Sequence, residues 1–245
     1  MKSKSSNIDS EKTVEQLIAE SELKTKWLSL VAHDCRGLFS NITYLLDALA
    51  EENITPEIFM SMLPELKQLA EKNSKTIEST FAWVNAQTDG FSIDNESVVI
   101  HHLYLELIEE FDKEITAKEL TLNFVGDKKT LLNTDRFLLR FILKQLIDNA
   151  IKYSNKGDVV DWLAHSDSEK TTISIKDMGV GMKISRLSTI GTLDGAPFTG
   201  TMDEKGAGLS LVIVKDFVGM LDGTMSVSSV EGLGTRVEIE FKANN

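Results

Sequence analysis

One cysteine, Cys35, stands in 245 residues, so no disulfide can form within the chain and no disulfide framework holds it together. That cysteine falls on an apolar helical seam, where a thiol is expected to be buried, in keeping with a reducing compartment. No stretch reaches the roughly 18 apolar residues that a membrane-crossing helix needs, and the Lys- and Ser-containing start leads into no apolar signal core. Positive charge is also scarce. The 26 Lys and Arg set against 38 Asp and Glu leave a formal net charge of −12. Nucleic acid and anionic membranes repel such a chain, so neither is expected as a partner of this segment. Internal repeats and low-complexity tracts are missing too. What remains, 42% hydrophobic and 26% charged residues, is an ordinary soluble composition with enough apolar material for two modest domains. A soluble, cytoplasmic segment is expected.

The first domain is expected over residues 1–90. After a polar start, Asp9 or Ser10 can cap a helix, and Leu28, Val31, Cys35, Leu38, Ile42, Leu45 and Leu49 recur in alternating steps of three and four. This is a heptad seam, continued weakly upstream through Val14, Leu17, Ser21 and Lys24, so the N-terminal part is coiled-coil-like. Gly37 and a Glu51-Glu52-Asn53 turn are its interruptions. A second helix begins near Thr55 with Pro56 at an early position, and its stripe is read as Phe59, Met62, Leu66, Leu69, then Ile77, Phe81 and Val84. Pro64 is expected to kink it or mark an irregular first turn, Trp83 to be a packing anchor, and Gly90 to end it. Two antiparallel helices bury too little alone, so a homodimer forming a four-helix bundle is expected. With Leu28 at heptad position a, His33 falls at f, on the exposed face.

The second domain is expected over residues 91–245, joined by a short linker. It opens with a helix around His101 to Lys118 and a strand Leu120 to Val125. A further helix carries Leu138, Ile142 and Leu146 at four-residue spacing and ends in Asp148-Asn149-Ala150-Ile151-Lys152-Tyr153-Ser154. Asn149 and Lys152 share a face, where an amide oxygen and an ammonium can serve a metal and a phosphate together. Thr171, Ile173 and Ile175 alternate with Thr172, Ser174 and Lys176, a half-buried strand that turns at Asp177-Met178-Gly179-Val180-Gly181. Asp177 can accept from an amino group such as that of adenine, while Gly179 and Gly181 let backbone approach a flat base. Lys205-Gly206-Ala207-Gly208-Leu209 looks like a glycine-rich helix start suited to phosphate, and Gly232-Leu233-Gly234-Thr235 leads into a last strand.

In this order, N-A-x-K-Y, D-x-G-x-G-M, G-x-G-L-x-L and G-x-G-T resemble the N, G1, G2 and G3 boxes of the ATP-binding domain shared by sensor histidine kinases, gyrase-type ATPases, Hsp90 and MutL. The resemblance covers about residues 97 to 243. It implies an α/β sandwich with ATP between a mixed sheet and helices, magnesium on Asn149, and adenine read by Asp177. Lys152 and Tyr153 would line the nucleotide, and Gly206 and Gly208 would lie beneath its phosphates. Gly179, Gly181, Lys205, Leu209 and Thr235 belong to the same boxes. The stretch between Met182 and Gly206 looks like a lid over the nucleotide. Upstream, His33-Asp34-Cys35-Arg36 resembles the phosphoacceptor box of sensor histidine kinases, which implies that His33 takes the phosphoryl group with Asp34 as its base. A response-regulator receiver domain and an upstream sensor module are the partners this implies. His101, His102 and His165 match no box.

The pattern is departed from at Gly37 and Leu38 after the histidine box, at Gln145 before the N box, and at Ser210, which replaces a glycine in G2. Gly37 stands where the family has a side chain that positions water for hydrolysis of the regulator's phosphoaspartate. Two alternatives stay open on these grounds: a dimeric nucleotide-binding scaffold or pseudokinase, and a kinase or ATPase of the same fold that does not use His33.

Overall fold

A computed structural model describes Thr25, Ala32, Arg36, Gly37 and residues 39–86, 92–187, 200–201 and 210–243. They fall into two compact units divided between Thr80 and Phe81. His33 and Asp34 lie outside the described residues, as do Lys205, Gly206, Gly208 and Leu209.

The first unit is a helical hairpin. Its first helix, α1, is described over 39–50, and the second, α2, spans Pro56–Ala86 and so continues past the division. Glu52 adopts φ 58°, and the Asn53 and Ile54 amides both donate to the Ala48 carbonyl, at 2.8 and 3.2 Å. A left-handed residue thus closes α1 and satisfies a carbonyl that the helix end leaves open. Leu45, on the expected seam, is buried, as is Ala48 beside it, and Phe59, Met62, Leu66 and Leu69 of α2 form a half-buried row. Beyond Leu69 the stripe departs from expectation. Asn73, Thr80 and Trp83 are buried, whereas Ile77 and Phe81 are 45% and 66% exposed. Helical steps of three and four from Leu69 pass through 73, 76, 80 and 83. Asn73 and Thr80, both polar, are buried at two of these places, so following apolar residues alone displaces the stripe by one position, about 100° around the helix. Pro64 lies within α2 without ending it. A second apolar surface remains on the hairpin, a groove of ≈ 670 Å³ lined by Ile42, Leu46, Phe59, Met60, Leu63, Pro64, Leu66, Lys67 and Ala70.

The second unit holds two sheets. Strands β1 (Asn95–Val99) and β3 (Leu131–Asp135) form an antiparallel ribbon. The main sheet takes β2 (Thr121–Gly126), β4 (Val159–Ser166), β5 (Lys170–Asp177), β6 (Thr224–Val230) and β7 (Gly234–Lys242) in the order β2-β4-β5-β7-β6. Only β2 and β4 run parallel, so the sheet is mixed, as expected. Register sets Phe124, Trp162, Ile175, Val237 and Val227 in one row across all five strands. Alternation then turns this apolar row toward the helices.

Those helices are α3 (Ile100–Glu110), α4 (Asp112–Ala117), α5 (Arg136–Tyr153), α6 (Ile184–Leu187) and α7 (Ser210–Met220). The single helix expected over His101 to Lys118 is two, broken at Phe111, whose φ of −98° and ψ of 13° turn the chain. Phe111 is only 3% exposed; the break keeps its ring in the core. The central helix is α5. Asp135 caps it by accepting from Leu138 N at 3.0 Å, and Leu138, Leu139, Ile142, Leu143, Leu146, Ile147, Ala150 and Ile151 are buried along it. Each larger side chain contributes about 1.5–3 kcal/mol of burial. Its outer side carries Arg140 and Lys144, paired with Glu110 of α3 at 2.6 and 2.5 Å. Among the described residues no helix is long and apolar enough to cross a membrane.

Candidate nucleotide-binding site

The way α5 ends builds the site. Ser154 leaves the helix with φ −77° and ψ 147°, and its Oγ donates to Ala150 O at 2.7 Å. Lys118, only 3% exposed, brings its ammonium to the same turn. Nζ donates to Ile151 O at 2.9 Å, Lys152 O at 2.8 Å, Ser154 O at 3.4 Å and Thr201 Oγ1 at 2.7 Å. Open carbonyls at a helix C-terminus are thereby satisfied by a cation placed at the negative end of the helix dipole. Thr201 fastens to the turn as well, its N–H donating to Lys152 O at 3.0 Å and its hydroxyl to Ser154 O at 2.5 Å.

The fixed turn receives the loop after β5. Tyr153 O accepts from Val180 N at 3.0 Å, and a Cβ on Gly179 would lie 2.0 Å from that same oxygen. Gly181, at φ +59°, would place a Cβ 2.0 Å from Val230 O. Both glycines therefore serve close approach of the chain to itself, a reason different from the approach to a flat base that the sequence suggests. At the end of β5, Asp177 is 6% exposed, and its Oδ1 accepts from Gly179 N at 3.0 Å and Thr235 N at 3.1 Å. These two amides both meet Oδ1, so neither occupies Oδ2. Burial raises the Asp177 carboxyl to about 6 despite the backbone amides of Gly179, Thr235 and Asp177 itself pulling it down, and the carboxylate of Asp158 adds to the rise.

On α5, Asn149 is half-buried, and Nδ2 donates to Ser210 Oγ at 3.1 Å. Lys152 holds its ammonium 5.4 Å from the centre of the Tyr153 ring. Among the described residues no group of three or more His, Cys, Asp or Glu could hold a metal ion. A cation here would rest on Asn149 and on oxygens of its ligand, a donor set that fits magnesium carried on phosphates. The structure thus brings Asn149, Lys152, Tyr153, Asp177, Gly179, Gly181 and Thr235 onto the α5 terminus and the adjoining end of β5 and β7. Lys118, Thr201 and Asp158 escaped sequence reasoning. Lys118 reads as an ordinary helix-end lysine, and only the break at Phe111 turns it inward.

Known proteins match this part of the chain. The family described as histidine kinase-, DNA gyrase B-, and HSP90-like ATPase matches residues 134–245. Over 226 residues the chain is 26% identical to sensor histidine kinase YvrG of Bacillus subtilis, covering 89% of this chain and 38% of that protein. It is likewise 26% identical over 226 residues to the heme sensor protein HssS of Staphylococcus saprophyticus, covering 90% and 47%. The chain thus spans less than half the length of these relatives. In fold it resembles the Acinetobacter baumannii histidine kinase AdeS, with TM-score 0.68 at 20% identity over 87% of this chain and 98% of that one. Histidine kinase ThkA, solved in complex with response regulator protein TrrA, gives TM-score 0.67 at 16% identity over 95% and 68%. Residues 134–245 thus match the histidine kinase-, DNA gyrase B-, and HSP90-like ATPase family model, and sensor histidine kinases are among the proteins that this chain resembles in sequence and in fold.

Proposed function

We propose that this chain is an ATP-dependent protein histidine kinase of a two-component system, phosphorylating His33 and passing the phosphoryl group to an aspartate of a response-regulator receiver domain. Residues 1–90 would form the dimerisation and phosphoacceptor hairpin and 91–245 the ATP-binding domain, in a cytoplasmic homodimer. The observation that carries the reading is Asp177, buried at the sheet end with one oxygen fixed by two amides, neither of which occupies the other, beside the helix turn that bears Asn149 and Lys152. Asp177 Oδ2 accepts from the exocyclic amine of adenine. Asn149 Oδ1 and Lys152 Nζ serve the phosphate end, with Tyr153 lining the nucleotide. Magnesium, when bound, neutralises phosphate charge. Lys205, Gly206, Gly208 and Leu209 complete the phosphate side.

Positioning does most of the work in such a transfer. The neutral imidazole of His33 supplies the lone pair that attacks the γ-phosphorus while the bond to the leaving ADP oxygen breaks. Asp34 takes the imidazole proton. The exposed groove of the hairpin supports the dimer, since two helices alone leave that apolar surface in water. Relation to ThkA, which was solved with a response regulator, supports the receiver partner. Asn149→Ala should abolish magnesium-dependent phosphorylation of the chain from labelled ATP while leaving thermal unfolding unchanged. Undiminished labelling in that variant contradicts the ATP-site assignment.

A further inference from the structure

A half-turn about the last torsion of an asparagine exchanges its nitrogen for its oxygen, and only the oxygen binds a cation. In Asn149 rotation about that torsion is restrained by another side chain, which meets nitrogen and oxygen alike. The hydroxyl of Ser210, the first residue of α7, lies 3.1 Å from Nδ2 and 3.3 Å from Oδ1. It can accept from the amide N–H and donate to the amide oxygen, meeting both atoms of one edge. Oδ1 has two lone pairs and keeps the second for a further partner. The hydroxyl is itself held in place, because α7 packs on α5 through Phe141 and Phe217, whose ring centres are 5.1 Å apart, with Ile213 and Phe217 fully buried.

Resting on the reading of Asn149 as the magnesium-binding residue, we infer that Ser210 is a positioning residue for its carboxamide, fixing the plane in which Oδ1 would meet the metal. The glycine expected at this place in the G2 box has no hydroxyl and leaves the amide edge without this partner. Ser210 then strengthens the site, although it departs from the box pattern. It acts on the metal-dependent part of nucleotide binding and leaves the metal-free part alone.

The test is calorimetric titration of the whole chain with ADP, with and without magnesium, read as the ratio of the two affinities. Ser210→Ala should lower that ratio about three- to tenfold, the worth of one hydrogen bond, with metal-free affinity unchanged. Ser210→Thr keeps the hydroxyl and should hold the ratio within about twofold of the parent. A ratio unchanged in Ser210→Ala overturns the inference, and so does an equal loss of affinity with and without magnesium. Asn149→Ala separates the two readings. Should it retain the full magnesium increment, both fall; should it lose the increment while Ser210→Ala retains it, only the role of Ser210 falls.

Discussion

Asp177 sits in the folded chain with its carboxyl raised to about 6, against 3.8 for the ordinary group. Between those values the folded chain binds its proton more tightly than the unfolded chain does. The group therefore adds stability at acid pH that is lost as the pH rises through about 6. A bound amine donor favours the carboxylate, so nucleotide affinity should behave in the opposite sense. Binding of ADP should be level above about pH 7 and fall toward tenfold per unit below about pH 6. Titration between pH 4.5 and 8 measures this, where about a thirtyfold loss separates the extremes at most. Asp177→Asn should weaken binding and flatten the profile; a slope that persists in this variant belongs to another group. Gly37 poses a second question at this scale. It is helical and exposed, and a Cβ built there meets nothing within 4 Å. No close-packed neighbour among the described residues explains the glycine. Gly37→Ala should stabilise the hairpin by about 1 kcal/mol. The missing side chain should make the parent a poor phosphatase toward its phosphorylated receiver. Gly37→Thr should raise the rate at which the receiver's phosphoaspartate is lost, and a fast parent rate that this substitution leaves alone contradicts the argument.

At the scale of elements, the termini of α5 carry the most consequence. Lys118 satisfies several carbonyls at once from a buried position, so Lys118→Met strips partners from buried acceptors and should lower stability by about 3 kcal/mol in urea unfolding. A loss below about 0.5 kcal/mol would place that lysine in the class of ordinary surface charges. This bond set also shows where sequence reading stops. The alternation of Thr171, Ile173 and Ile175 and the four-residue spacing of Leu138, Ile142 and Leu146 made β5 and α5 legible, because one buried face writes a period into the chain. The boxes at Asn149 and Asp177 were legible because short-range chemistry repeats in residue order. Nothing local announces that Ser210 meets Asn149 across 61 positions, or that Lys118 turns inward after a break at Phe111. Ile77 and Phe81 misled for the complementary reason. They are apolar and spaced like a stripe, yet tertiary packing gave the inward places to Asn73 and Thr80. Trp83 was read correctly as an anchor; it is 2% exposed, and its Nε1 donates to Asp216 Oδ2 of α7 at 2.6 Å.

For the whole molecule, the account joins a hairpin with an apolar groove to a mixed-sheet domain whose one end gathers the nucleotide residues. What would make this chain a histidine kinase, and not another ATPase on the same fold, is the proposed role of His33. The most direct measurement is the chemistry of the phosphorylated product: incubation with magnesium and γ-labelled ATP, treatment of the protein with acid or with base, and mapping of the label to a peptide. The account predicts a label lost in acid and retained in base, located on the peptide that contains His33 and missing from His33→Ala. An acid-stable label on a hydroxyl residue, or labelling that survives in His33→Ala, contradicts it.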